Sequence, residues 1–186
     1  IDTQKVHISS AIASGYKYML IVTSDEAKAR KMCDDASFFN KEAIYYPAKD
    51  AIFYSADVHG NQITGERLRC ISRIINHSST GEGVLTVVTT MDGIADRLIP
   101  VERFKEAVIT LDYSSEIEPE KLAKKLVAMG FVRTGMVEDK GQFAIRGGII
   151  DIFSYTDEAP VRIELWDTEV DSIRMFDVES QRSIER

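Results

Sequence analysis

Nucleotide-binding α/β domains hold phosphate with a lysine that follows glycine and precedes serine or threonine. The opening segment 1–12 (IDTQKVHISSAI) has the lysine, Lys5, without either neighbour. Gln4 carries a side chain where backbone N–H groups must approach phosphate, and Val6 has no oxygen to offer Mg²⁺. Two readings of Gln4-Lys5-Val6 stay open: a plain helix with one exposed lysine, or a phosphate loop that has lost its chemistry. Neither supports ATP hydrolysis.

The other reactive side chains are dispersed. His7, His59 and His77 lack ligand spacing and have no cysteine or paired carboxylate beside them, so no metal site is expected. Ser9-Ser10, Ser79-Thr80 and Ser114-Ser115 read as turns and caps, and none sits in a nucleophile elbow. Asp92 is the only acid after the apolar run 84–90, which gives no acidic pair to activate water. No catalytic centre and no cofactor are expected.

A stronger pattern lies in 142–177. Alternation along 161–166 (VRIELW) sets Val161, Ile163 and Leu165 on one face and Arg162, Glu164 and Trp166 on the other. The preceding run, 143–153 (FAIRGGIIDIF), has a Gly147-Gly148 turn suited to a two-residue hairpin. That hairpin pairs Arg146 with Ile149 and places Arg146, Ile149, Asp151 and Phe153 on one face. An exposed Arg with the chain's only Trp has the composition of an interface hot spot. The plainer alternative is that the two arginines neutralise Asp151 and Glu164 across strands, with Trp166 half-buried under a loop.

The elements that must position these residues fall into two kinds. Over 1–104, apolar runs 17–23, 43–46 and 84–90 alternate with helical patterns, which predicts a parallel sheet with right-handed crossovers. The first and third runs are nearly continuous, as in strands buried on both faces. Thr23 and Glu26 form a capping box for a helix burying Ala29, Cys33 and Ala36. Thr64 caps a helix burying Leu68, Ile71 and Ile75, and a short helical stretch runs to Pro100. Over 105–186, Ala107–Leu111 reads as a strand, and Pro119 and Gly130 bracket a helix with Leu122, Leu126 and Met129 inward. Strands are then expected at 131–138, 142–146, 149–153, 161–166 and 170–176, a meander and so an antiparallel sheet. The fold class is therefore α/β plus α+β: a degenerate parallel-sheet lobe, 1–104, then a small antiparallel-sheet domain with a packed helix, 105–186.

Composition sets outer bounds. The chain has 186 residues, 44% hydrophobic and 28% charged, with 23 Lys and Arg against 30 Asp and Glu, a net charge of −7. Residues 1–104 carry net −1 and 105–186 net −6, a shift that marks the boundary. An acidic balance argues against a chain whose main task is coating nucleic-acid backbones. No apolar stretch is long enough to span a bilayer, and no signal-peptide pattern begins the chain. Cys33 and Cys70 fall at apolar helix positions, as buried thiols of a reducing cytoplasm do. A first residue of Ile instead of Met suggests a piece of something longer.

The run 141–153 (GQFAIRGGIIDIF), then Val161-Arg162-Ile163-Glu164, Asp171-Ser172-Ile173-Arg174-Met175-Phe176-Asp177 and Ser180-Gln181-Arg182-Ser183, resembles the UvrA-binding domain. That domain is shared by two bacterial families, the excision-repair helicase UvrB and the transcription-repair coupling factor Mfd. The rest of the chain is compatible with the RecA-like first lobe of the same module. UvrB-like chains have an intact phosphate loop where Gln4-Lys5-Val6 stands, and a long tyrosine-rich hairpin where only 17 residues separate Tyr46 from Thr64. Both departures point to the coupling factor.

The resemblance implies a truncated, non-catalytic N-terminal module that recruits UvrA for transcription-coupled nucleotide excision repair. RNA polymerase and DNA would be bound by regions beyond it, and a C-terminal domain would mask the UvrA-binding surface. By position it implies contacts from Arg146, Arg162 and Trp166, with Phe153, Glu164 and Asp151 in contacting or orienting roles. Two further readings are kept. One is the start of a UvrB helicase, binding nucleotide and DNA, against which the missing loop and hairpin count. The other is a DNA-binding module, which the net charge disfavours while leaving room for a local basic patch.

Overall fold

Helix α1 (Asp2–Ala13) covers the segment where a phosphate loop was conceivable, and its Val6 is wholly buried against Ala29, Met32, Cys33, Ala36 and Val88. The structure, a computed structural model, describes residues 2–40, 42–49 and 57–184, and divides into units Ile1–Ile99 and Pro100–Arg186. In the first unit follow β1 (Tyr18–Thr23), α2 (Glu26–Phe39), β2 (Ala43–Tyr46), α3 (Asp57–Thr80), β3 (Leu85–Thr90) and α4 (Met91–Ala95). The three strands are parallel in the order β1-β3-β2, with Leu20 and Ile44 both opposite Val87. Central β3 is buried on both faces, as its unbroken apolar run predicts.

β1 departs from that expectation. Its Tyr18, Leu20 and Val22 are exposed, Leu20 by 60%. The reason is its place at the rim of the sheet: Cys70, Ile71 and Ile74 of α3 pack over Ile44, Tyr46 and Leu85 of the other two strands. α3 also begins at Asp57, so Thr64 lies inside the helix and caps nothing. Its buried line is Gly65, Arg67, Cys70 and His77, while Leu68, Ile71 and Ile75 are half-buried. The cap of α2 is Asp25 and not Thr23: its carboxylate accepts from the Lys28 N–H at 2.8 Å, which holds the Asp25 carboxyl below its usual range. The middle of the connection 47–63, at 50–56, lies outside the described residues.

The second unit holds α5 (Val101–Glu106), which the sequence pattern did not reveal, α6 (Pro119–Ala128), β4 (Val132–Arg133), β5 (Gln142–Arg146), β6 (Ile149–Phe153), β7 (Val161–Trp166) and β8 (Glu169–Met175). No strand forms at 107–111. Ile109 and Leu111 use their side chains to pack on the core. The backbone instead bonds onward at 115–117, with the Ile117 N–H on the Thr168 carbonyl at 2.7 Å.

The five strands form one sheet in chain order, antiparallel from β5 to β8. The expected strand 131–138 shrinks to β4, which pairs parallel with β5, so the sheet is mixed. Gly141 closes that return with φ 79°, and a Cβ there would strike the Tyr155 hydroxyl at 2.2 Å. One face of the sheet packs Phe143, Ile150 and Ile163 beneath Leu122, Ala123 and Leu126 of α6. Gly130 ends that helix with φ 91°, as its position predicts.

Candidate functional site

The opposite face of the sheet carries the polar positions of the same strands. The β5–β6 turn has φ 62° at Gly147 and no positive φ at Gly148, the pattern of a type II′ turn, and it pairs Arg146 with Ile149 as the sequence predicts. β6 and β7 then set Asp151 opposite Arg162 and Ile149 opposite Glu164, and β8 sets Arg174 opposite Arg162. An irregularity in pairing falls between Glu164 and Leu165. Alternation along β7 survives it: Ile163 is buried and Leu165 packs on the core, while Trp166 is 80% exposed.

Asp151 organises the face. It is fully buried, and both arginines hold it. Arg162 is bidentate, Nε to Oδ1 at 2.7 Å and Nη2 to Oδ2 at 2.9 Å, and Arg146 donates Nη2 to the same Oδ2. These hydrogen bonds raise the Arg162 guanidinium above even its ordinary range. Burying a carboxylate costs several kcal/mol and is offset only by close, well-aligned partners, which this geometry supplies. The Arg162 side chain is 17% exposed and its guanidinium lies 4.4 Å from the centre of the Phe176 ring. Arg146 is more open, at 42%, and its Nη1 donates to the Gly135 carbonyl at 3.2 Å. Among the described residues its Nε–H takes no partner.

The remaining expected residues separate. Glu164 accepts from Ser172 at 3.0 Å and from Arg174 at 3.2 Å, and reaches the Asp151 cluster only through its charge, which acts on Arg162. Phe153 is buried in a second small core with Val137, Ala144 and Phe176, under the Lys140 ammonium at 5.6 Å, so no partner can reach its ring without disturbing the sheet. Trp166 stands at the end of β7 beside a tight turn where Asp167 has φ 58°. The alternative of a half-buried Trp166 is thus overturned, and that of the two arginines neutralising Asp151 and Glu164 holds for Asp151 only, since Glu164 pairs with Arg174. The arginines are locked in place by the carboxylate, and one large ring stays in water.

The sequence reading assigned no role to Gln181, which lies against the Arg162 guanidinium. Its only signal was membership of the 180–183 motif. At the other candidate, Gln4 and Lys5 are exposed on α1 and Val6 is core. Among the described residues no group of three His, Cys, Asp or Glu could hold a metal ion, and no helix is long and apolar enough to cross a membrane.

This face lies in the part of the chain, residues 109–186, that the family model "UvrB interaction domain" matches. The whole chain is similar to proteins named transcription-repair-coupling factor. It is 40% identical over 186 residues to the one from Bacillus subtilis (strain 168), covering 99% of this chain and 15% of that protein. It is 36% identical over 178 residues to the one from Staphylococcus aureus (strain USA300), covering 95% of this chain and 15% of that protein. The chain therefore carries a match to this interaction domain over 109–186 and is similar, over nearly its whole length, to a part of these factors. The chain spans about 15% of the length of the curated relatives it matches. Its second unit holds the interaction domain and, within it, the Arg146–Asp151–Arg162 cluster and Trp166.

Proposed function

We propose that the module is a non-catalytic recruiter of UvrA, part of a transcription-repair coupling factor that brings excision repair to stalled RNA polymerase in the bacterial cytoplasm. The observation that carries this reading is the outward face of the second sheet, where two arginines are locked on buried Asp151 beside an 80% exposed Trp166. Arg146 keeps donors for a carboxylate on the partner, and the Trp166 ring supplies apolar area that is unfavourable to leave in water. Arg146, Arg162 and Trp166 are the contacts; Glu164 tunes the rim through Arg174, and Phe153 packs on the same face in the small core beside the Arg162 site.

Motor activity, polymerase binding and DNA translocation belong to other parts of the intact factor, and a C-terminal domain there covers this face until the motor engages. In this reading the first unit is a degenerate RecA-like lobe and the second, which takes in α5 ahead of the expected boundary at 104/105, is the UvrA-binding domain. Titration calorimetry of the module against purified UvrA tests the reading, with Trp166→Ala as the variant that leaves the Asp151 cluster untouched. Binding by the wild type and a roughly thirtyfold loss in the variant support it. Equal affinities, or no heat from a folded wild type, overturn it.

A further inference from the structure

Arg162 is held on more sides than its ion pair requires, and the extra hold comes from one residue outside the sheet. Gln181 accepts from Arg162 twice, through its backbone carbonyl (from Nη1, 3.3 Å) and through Oε1 (from Nη2, 3.4 Å). Its own Nε2 donates to the carbonyls of Val178 at 2.8 Å and Val137 at 3.2 Å, so the side chain is fixed at both ends of its amide. The backbone there has φ 58°, a left-handed conformation that a residue with a side chain seldom adopts. A tight turn imposes it: the Gln181 N–H bonds the Asp177 carbonyl at 2.8 Å, and the Asp177 carboxylate accepts from the Ser180 N–H and hydroxyl. Strain kept at a non-glycine residue is a pointer to a task for its side chain.

The geometry points to Gln181 as a positioning residue for Arg162. Asp151 grips one edge of the guanidinium and Phe176 lies against its flat face. Gln181 closes the remaining edge, removing the rotation about the Cζ–N bonds that a partner would otherwise have to freeze on binding. This deepens the proposed docking of UvrA and rests on it for its effect on affinity, but not for its effect on Arg162.

The test uses Gln181→Gly, which accepts the left-handed backbone and removes only the side chain. NMR of the guanidinium groups, assigned by the loss of signals in Arg162→Ala, reads rotation of Arg162 with no partner present. Separate Nη signals for Arg162 are expected in the wild type, and faster exchange between them in Gln181→Gly, where the Asp151 bonds and the backbone carbonyl bond remain. Calorimetry with UvrA is expected to show about a tenfold loss for Gln181→Gly, and no further loss when the change is made in Arg162→Ala. Arg162 signals that do not respond to Gln181→Gly overturn the inference, as does an equal loss of affinity in both backgrounds. If the wild type fails to bind UvrA while the NMR contrast appears, the docking reading falls and the positioning role stands.

Discussion

Each unit has one place where the sequence hinted at chemistry, and the two places were treated in opposite ways. In the first unit, Val6 occupies the position where a phosphate loop would need a hydroxyl, and it is spent on the core, packed on Ala29, Cys33 and Val88. Lys5 beside it is an exposed side chain on α1. In the second unit a carboxylate is buried completely in a sheet and matched by two arginines. An apolar residue at position 151 would be the simpler way to fill the sheet, since buried ion clusters seldom beat hydrophobic packing for stability. The contrast separates the two places: the first is ordinary helix packing, while the second carries a charge cluster that packing alone does not call for.

The sharpest way to break this comparison is Asp151→Ala. It strips two partly buried guanidiniums of their counter-ion, and a loss of about 3 kcal/mol in urea unfolding of the second unit is expected. A loss below about 1 kcal/mol would reduce the cluster to an ordinary surface pair. Next, Trp166→Ala should weaken UvrA binding by about 2 kcal/mol with no change in melting temperature, because the ring is mostly in water. The double change Gln4→Gly with Val6→Thr rebuilds a Gly-Lys-Thr sequence. It should cost the first unit about 1–2 kcal/mol, by burying a hydroxyl and putting glycine in a helix, and it should yield no ATP binding in a filter or calorimetric assay.

Glu164→Gln ranks lower. Its partner Arg174 is half exposed, so stability should change by less than about 1 kcal/mol in the same urea assay. The smallest effect concerns Asp177, whose carboxyl is held below its ordinary value by hydrogen bonds from Ser180. A lowered folded value contributes stability above the unfolded value and loses it as pH falls through the folded one. The Ser180 amide signal should therefore shift only on acidification below the usual carboxylate range, and a midpoint at the ordinary value would contradict the bond.

Alternation made the second unit legible. Period-two spacing put Ile163 in the core and Arg162 and Trp166 opposite, and the Gly147-Gly148 turn fixed the register of Arg146 on Ile149. Asp151 announced itself as an acid inside the apolar run IIDIF, which needs a partner when buried. Gln181 was not legible, because it reaches Arg162 from a turn and turn contacts leave no periodic trace. β1 misled because a continuous apolar run reports that a strand can be buried on both faces, whereas its rim position in the sheet decides whether it is. The run 107–111 misled for a related reason: Ile109 and Leu111 are half-buried by side-chain packing, and no strand forms there.

The most direct test titrates one preparation of the folded module twice, once with UvrA and once with Mg·ATP. Heat from UvrA that Trp166→Ala largely removes, with none from Mg·ATP, is the result expected if the second unit's charged face recruits and Gln4-Lys5-Val6 is a stretch of helix with Val6 in the core. Saturable heat from Mg·ATP, or silence from UvrA, would contradict the account.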